Sequence, residues 1–363
     1  MPDRIVPAPA MDAVPVSGLP ELEAHLHHLV DDASLPIQAK LLDQVELQLN
    51  ETNTPPLLAT LLPPLTHILK ATSQDPTPLL TLTIKLLSPL SFVQTLALAD
   101  PPSLLTALRS PLPGANLLAL AVVHKAATSP ADAALLSTLP DVVAEVVRRW
   151  LESPDVGVGE RAAKVLGDVL ETDCDVVCSS GTSSITGNML VKRTVPGQAR
   201  LWRLILQNHS HLSLIQNSCT PNQQPPRSTH AVTISQGRVL RMLPRLAALD
   251  IRVLSQCPFP DLFPLPDATA QQVGRGLLQW GALAMVTKSD VLMHLSLIDF
   301  FEAFVSVMCV SDYARERDDV VKSLVRVAVR DDEDLEAALG SLPGRTVEEE
   351  AERLRRYIAN VLG

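Results

Sequence analysis

The feature that most constrains this sequence is the placement of its thirty prolines. Six of them directly follow a serine or an aspartate, at Asp75-Pro76, Ser88-Pro89, Asp100-Pro101, Ser110-Pro111, Ser129-Pro130 and Ser153-Pro154. The serine or aspartate side chain can accept an unbonded backbone N–H, and proline at the first helical position has no N–H to leave unbonded. Because these pairs recur at short intervals before runs of leucine, alanine and valine, they predict many short helices joined by short turns.

The composition supports the same secondary structure. The chain has 61 leucines, 11 aromatic residues and 15 glycines in 363 positions. Leucine and alanine favour helices, whereas strands favour β-branched and aromatic residues. The sequence therefore predicts an all-α protein, and its many short helices predict a curved α-solenoid of HEAT- or armadillo-like antiparallel helix pairs. A single four-helix bundle would need fewer and longer helices.

Composition also changes along the chain and predicts four segments. Two stretches rich in serine, threonine, glycine, proline or glutamine are expected to be long polar loops, and a proline-rich N-terminus is expected to be disordered. The predicted order is a disordered segment 1–18, N-terminal HEAT-like repeats 19–172, a polar loop 173–197, and C-terminal HEAT-like repeats 198–363 that contain a second loop at 218–235. The last helix, 346–362, is expected to begin with a capping box of Thr346 and Glu349.

Location and membrane contact follow from the apolar runs and the cysteines. The first 18 residues contain no apolar run of signal-peptide length, and five scattered cysteines suggest a reducing compartment. We therefore expect a cytoplasmic protein, with the nucleus as a second location. The most apolar run, Val291 to Val310, carries Asp299 and Glu302 near its centre. A charge at the bilayer centre costs about 2.5–3.5 kcal/mol, so this run is predicted to be a buried helix and not a membrane span.

Charge is distributed unevenly. The net charge of the chain is −10, yet residues 161–260 carry a net charge of +6. On the predicted helix 236–256, Arg238, Arg241, Arg245 and Arg252 fall within an arc of about 60°. Guanidinium groups along one helix edge suit carboxylates or phosphates, so this arginine strip is a candidate docking surface. An ordinary solvated helix face is the alternative.

No catalytic or cofactor motif is present. The sequence lacks a dinucleotide-binding glycine pattern, a phosphate loop, a nucleophile elbow and a zinc-protease helix motif. Gly274 and Gly276 are better explained by close helix packing than by phosphate binding. The best candidate set of metal ligands comprises Cys174, Cys178, His209, His211 and Cys219. Because it lacks a second closely spaced pair of ligands, we predict that its cysteines are free thiols and not zinc ligands. We expect no cofactor, no metal and no enzymatic activity.

Three stretches, in this order and spacing, resemble one protein family. They are GERAAKVLGDVLETD at 159–173, GQARLWRLILQN at 197–208 and SQGRVLRMLPRLAALD at 235–250. The pattern is similar to the fungal DNA mismatch repair, high-spontaneous-mutability family, which is related to the proteasome non-ATPase subunit "five b". The resemblance covers roughly residues 19–363, and its motifs are helix-packing sequences without chemistry of their own.

The resemblance implies a HEAT-type solenoid that acts as an assembly chaperone. Members of the family clamp the C-terminal domain of one AAA ATPase subunit while the base of the proteasome regulatory particle assembles, and leave before the particle works. We therefore expect a non-enzymatic chaperone, monomeric by itself, whose partners are that ATPase domain and base-assembly intermediates. We further expect the arginine strip, with Arg200 and Arg203, to contact an acidic patch of the ATPase.

Two other functions remain open from the sequence. A mismatch-repair protein that binds DNA or a repair complex would be supported by the basic region 161–260, although the acidic net charge argues against nucleic acid as a partner. A hydrolase with unrecognised residues has no motif in its favour.

Overall fold

The structure is a computed structural model that describes residues 16–72, 74–176, 196–221, 227–311 and 315–363. Within these ranges the chain forms nineteen α-helices, three short 3₁₀-helices and no strand, so the predicted all-α fold is confirmed. The predictions made for residues 1–15, 177–195 and 222–226 lie outside the described residues. The helices belong to two compact units.

The first unit runs through Ser103 and adds residues 110–122. Its helices are α1 (Leu19–Asp31), α2 (Ala39–Glu46), α3 (Thr54–Ala71), α4 (Thr77–Leu87) and α5 (Phe92–Leu98); α6 (Pro101–Arg109) and α7 (Pro113–His124) are shared with the second unit. Here α1 packs on α2 and α3, and α4 packs on the same two helices. Fully buried leucines such as Leu22, Leu65 and Leu79 fill the core between them.

The second unit comprises residues 104–109 and 123–363. Its helices are α8 (Pro130–Leu136), α9 (Pro140–Glu152), α10 (Val156–Asp173), α11 (Arg200–Leu206), α12 (His209–Cys219), α13 (Thr229–Ser255), α14 (Asp267–Val273), α15 (Leu277–Leu283), α16 (Val291–Val310), α17 (Arg315–Val329), α18 (Glu333–Ser341) and α19 (Glu348–Leu362). Successive helices pack on each other from α9 to α12, α8 packs on α10 and α11, and α13 packs against α9, α10, α12, α15 and α16. Packing between successive helices is consistent with a solenoid-like fold, whereas the HEAT or armadillo pairing stays a prediction.

The predicted helix starts are partly correct. Asp100 and Ser129 cap α6 and α8, where their side chains accept the backbone N–H groups of Ser103 (3.0 Å) and Asp132 (3.1 Å). At the other four pairs the helix begins one to three residues after the proline, because α4, α5, α7 and α10 begin at Thr77, Phe92, Pro113 and Val156. The starts at Pro113 and Val156 are those that the apolar runs predict, whereas a start of α5 at Pro89 is wrong. At α5 and α10 a better-placed cap lies further along the chain, and these caps are Ser91 and Asp155.

Helix α13 differs from the prediction at its start and at a break within it. It begins at Thr229, so residues 229–235 are helical and the predicted second loop, 218–235, is shorter than expected. The helix also breaks at Asp250, whose φ of −152° and ψ of 95° are extended. Arg317 of α17 donates to the carbonyl oxygens of Ala247 and Ala248, both at 3.1 Å. These bonds satisfy carbonyls that lose helical partners at the break.

The start of α11 is held against the end of α10. The backbone N–H of Gly197 donates to Cys174 O (2.8 Å), and that of Ala199 donates to Asp173 O (2.7 Å). The buried carboxylate of Asp173 accepts the N–H of Leu201 at 2.6 Å and so caps α11. We call this arrangement the α10–α11 neck, and it fixes both ends of the segment between residues 176 and 196.

Helix α16 corresponds to the apolar run at 291–310. Among the described residues it is the one helix long and apolar enough, by length and composition, to cross a membrane. Phe300, Phe301 and Phe304 are buried, and α16 packs against α13, α18 and α19. Glu302 forms an ion pair with Arg345, with 3.2 Å between Oε2 and Nη1. The apolar run is thus a helix with one buried side and an acidic residue paired with an arginine, and it departs from the predicted buried helix because Val291, Leu292 and Leu295 are exposed.

The C-terminal helix has a buried apolar side but lacks its predicted cap. Leu354, Ile358 and Val361 are buried along one side of α19. The capping box is wrong, because α19 begins at Glu348 and the Thr346 hydroxyl instead donates to Leu342 O at 3.0 Å.

Candidate functional site

The predicted arginine strip of α13 faces α10, and the two helices enclose a groove of about 240 Å³ within the second unit. Four cationic side chains and one carboxylate line the groove, and these are Lys164, Arg238, Arg241, Arg245 and Glu160. Three apolar side chains form its floor, and these are Trp150, Ala163 and Met242. We call it the α10–α13 groove.

Two glycines of α10 allow the arginines of α13 to lie against the helix. A Cβ atom at Gly159 would lie 2.8 Å from Nε of Arg238, and one at Gly167 would lie 2.7 Å from Cζ of Arg245. Real Cβ atoms do not approach other heavy atoms this closely, so a side chain at either position would displace a guanidinium group. Glycine lowers helix propensity by about 1 kcal/mol relative to alanine. Its use at these positions is explained by the space that the arginines need.

Arg238 is a structural residue. It is 5% exposed, and Nη1 donates to the carbonyl oxygens of Leu151 (3.2 Å) and Ser153 (2.8 Å) at the end of α9. The last carbonyls of a helix lack helical partners, and a cation near them is favourable. Burial lowers the pKa of Arg238. The predicted docking role is corrected, because this guanidinium caps α9 inside the protein.

Arg245 is also engaged within the protein. Its Nη2 atom donates to Oδ1 of Asp168 and to Oε2 of Glu171, both at 2.7 Å. Asp168 in addition lies 2.6 Å from Nε2 of His124 and 3.1 Å from Nζ of Lys164. Burial alone would raise the pKa of Asp168, but the hydrogen bonds from His124, Arg245 and Lys164 hold it well below 3.8. The charge of Arg245 therefore joins α13 to α10, and its docking role stays a prediction.

We expect Asp168→Asn to lower the free energy of unfolding by about 2 kcal/mol at pH 7, because it removes a carboxylate that accepts several charged hydrogen bonds. The depressed pKa makes the contribution of Asp168 fully present above 3.8, and the contribution decreases as pH falls toward the folded-state pKa. The difference between variant and wild type should therefore shrink from pH 7 to pH 3. Urea unfolding at the two pH values measures it, and a difference that grows at pH 3 would contradict the assignment.

The mouth of the groove is formed by exposed charges. Nη1 of Arg241 lies 2.9 Å from Oε1 of Glu160, and these side chains are 67% and 52% exposed. Lys164 is 58% exposed and pairs with Asp168 on its inner side. Arg241 is therefore the one member of the predicted strip whose exposed guanidinium lies in the groove.

The remaining predicted arginines lie elsewhere. Arg252 follows the break in α13, where its Nε lies 3.3 Å from Oδ1 of Asp250 and where it lines a separate cleft of about 680 Å³. Arg200 and Arg203 are exposed on α11, and Arg203 donates to Gln198 O at 2.7 Å. The four arginines of the predicted strip thus do not form one surface with each other or with Arg200 and Arg203, because the break in α13, the burial of Arg238 and the internal ion pairs of Arg245 separate them.

Sequence reasoning missed Glu160 and Lys164, which lie four residues apart on α10. Their signal was present, since oppositely charged residues at this spacing share a helix face. They lie in the stretch GERAAKVLGDVLETD, next to the two glycines that admit the arginines. A prediction that this stretch forms a helix packed against α13 would have placed both residues at the groove.

The described members of the candidate metal set, Cys174, His209, His211 and Cys219, do not form a ligand group. Cys174 and Cys219 are buried, and burial raises the pKa of Cys219 to about 12; Cys178 lies outside the described residues. In the part of the chain that the structure describes, no three histidine, cysteine, aspartate or glutamate side chains form a group suited to a metal ion. His25 is buried, and its Nε2 atom accepts the N–H of Gln38 at 3.1 Å.

The α10–α13 groove is the best candidate for a functional site because exposed cations lie there beside an apolar floor. Its exposed charged groups are suited to recognising an anionic group on another molecule. No protein-family model matches this sequence, and no curated protein is significantly similar to it.

Proposed function

We propose that this chain is a non-enzymatic scaffold that holds the C-terminal domain of an AAA ATPase subunit during assembly of the proteasome regulatory particle base. The identity of the partner follows the sequence resemblance, and a HEAT- or armadillo-like pairing of the helices is part of the proposal. The observation that carries it is the exposed pair of cations, Lys164 and Arg241, beside the apolar floor of the α10–α13 groove.

The composition of the groove suits a contact that forms and is later released. Complementary charges at the rim of an interface increase association rates and specificity more than they increase affinity. Exposed ion pairs contribute about 0–1 kcal/mol each, so a partner held partly by such charges can dissociate. A chaperone that leaves before the mature particle works needs this combination of specificity and release. We place this activity in the cytoplasm and, as a second location, the nucleus.

We expect Lys164→Glu combined with Arg241→Glu to reduce capture of base ATPase subunits from cell extract at least tenfold. The reason is that the variant reverses both exposed charges of the groove. The variant also breaks the ion pairs with Asp168 and Glu160 and places like charges together, so the free energy of unfolding should fall by about 1–2 kcal/mol while the protein stays folded. Pull-down with mass-spectrometric identification measures capture, and urea unfolding measures stability.

The matched control is Arg355→Glu combined with Arg356→Glu, which makes the same charge change on the exposed side of α19. It should leave capture unchanged. Equal capture by wild type and the groove variant would remove the groove from the proposal, and failure of the wild type to capture base subunits would overturn the proposed function. Duplex DNA binding that weakens steeply with salt would instead favour the mismatch-repair alternative.

A further inference from the structure

We infer that the α10–α13 groove binds a carboxylate side chain of an acidic peptide segment, and that Glu160 occupies this carboxylate position in the unbound protein. The inference rests on the proposed function in one respect, since it assumes a protein partner. It specifies that the partner must present a carboxylate, and that Glu160 of this chain competes with that carboxylate.

The first support is the geometry of the Arg241–Glu160 pair. Nη1 of Arg241 donates to Oε1 of Glu160 at 2.9 Å, across two helices and 81 positions of sequence. A guanidinium has five N–H donors and accepts a carboxylate in a fork, so Arg241 has more donors than this contact uses. Both side chains are more than half exposed, and exposed pairs contribute little to stability. An incoming carboxylate can therefore replace Glu160 without disturbing the helices.

The second support is the charge around this position. Lys164 and Arg241 lie at the mouth, and Arg238 lies deeper with its Nη1 bonded to main-chain carbonyl oxygens of Leu151 and Ser153. Carbonyl dipoles stabilise a positive charge but do not cancel it. The lining of the groove contains four cationic side chains and one carboxylate, Glu160. Displacing Glu160 thus leaves a site that favours one negative charge.

The third support is the position of two acidic side chains, which favours an acidic peptide over a nucleic acid as the ligand. Asp168 and Glu171 accompany Arg245 beside the groove, and their side chains are about one-fifth exposed. A phosphate backbone carries closely spaced negative charges and would meet these acids, whereas one carboxylate substitutes for Glu160 alone. The apolar floor of Trp150, Ala163 and Met242 also fits the aliphatic stem of a glutamate side chain.

The test uses the full chain and a fluorescein-labelled peptide in which single glutamates are separated by glycine and serine residues, with binding followed by fluorescence anisotropy at low salt. We expect Glu160→Gln to tighten binding about three- to tenfold, because it removes the competing carboxylate. Arg241→Gln should weaken binding by a similar factor. The matched controls are Glu352→Gln and Arg356→Gln, which make the same charge changes in an exposed pair on α19 and should change binding less than twofold.

Each other outcome overturns the inference. Equal effects of Glu160→Gln and Glu352→Gln would mean that net charge alone determines binding. Unchanged binding in Glu160→Gln, or tighter binding of duplex DNA than of the peptide, would also overturn it. If base subunits are captured by the wild type and lost in the Lys164→Glu, Arg241→Glu variant while Glu160→Gln has no effect, the proposed function stands and this inference fails.

Discussion

Arg238→Met is expected to lower the free energy of unfolding by about 3 kcal/mol. The substitution keeps much of the aliphatic length of the side chain but removes the donors that satisfy the carbonyl oxygens of Leu151 and Ser153. An unsatisfied buried polar group costs about 1–3 kcal/mol, and the flat space beside Gly159 is left incompletely filled. Urea unfolding followed by circular dichroism at 222 nm measures the loss.

Arg241→Met is the matched control, because it changes the same residue type three positions further along α13. Its side chain is 67% exposed, so stability should change by less than about 0.5 kcal/mol. Partner capture should respond in the opposite way, with Arg241→Met reducing capture and folded Arg238→Met retaining it. Equal losses of stability in the two variants would contradict the assignment of Arg238 as an internal cap.

We expect Gly276→Ala to be comparably destabilising, by about 3 kcal/mol. Gly276 lies where the start of α15 crosses the end of α13, and a Cβ atom there would lie 2.8 Å from Cα of Ser255 and still closer to other backbone atoms. Overpacking costs about 1–3 kcal/mol, and the upper end applies because backbone moves less readily than a side chain. Thermal unfolding of the variant measures the effect.

Gly340→Ala serves as the control for Gly276→Ala. Gly340 lies within α18, and a Cβ atom there would meet nothing within 4 Å. Alanine should therefore be neutral or stabilise the protein by up to about 1 kcal/mol through helix propensity. A loss at Gly340 equal to that at Gly276 would show that helix context, and not the close approach of two backbones, determines the result.

Sequence patterns predicted the secondary structure class and several local features. The caps at Asp100 and Ser129 and the buried stripe of α19 follow from local chemistry, which depends on residues within a turn or two. The close packing expected at Gly276 is also present, because a Cβ atom there would lie 2.8 Å from Cα of Ser255. Gly274, with a φ of +85°, ends α14 in a conformation that favours glycine.

The candidate site was less predictable because it depends on contacts between distant segments. A helical projection places Arg238, Arg241 and Arg245 along one edge but does not reveal whether that edge faces solvent or another helix. The carbonyls that hold Arg238 are 85 and 87 residues away, and the acids that hold Arg245 are 74 and 77 residues away. The glycines at 159 and 167 were the available signal, since glycine inside a helix often marks a close approach.

The break in α13 also could not be predicted from the helical periodicity of the sequence. Apolar and basic residues continue with helical spacing on both sides of Asp250, so the pattern predicts one uninterrupted helix. The contacts that accompany the break come from a distant residue, since Arg317 lies 69 and 70 residues away from the carbonyls to which it donates. This break moves Arg252 out of the α10–α13 groove and explains why the predicted strip is divided.

The α10–α11 neck has a consequence for how this chain tolerates change. Because Cys174 and Gly197 are hydrogen-bonded to each other, and Asp173 belongs to α10 while it caps α11, the two helices share one junction. A substitution at Asp173 should therefore disturb the end of one helix and the start of the next at the same time.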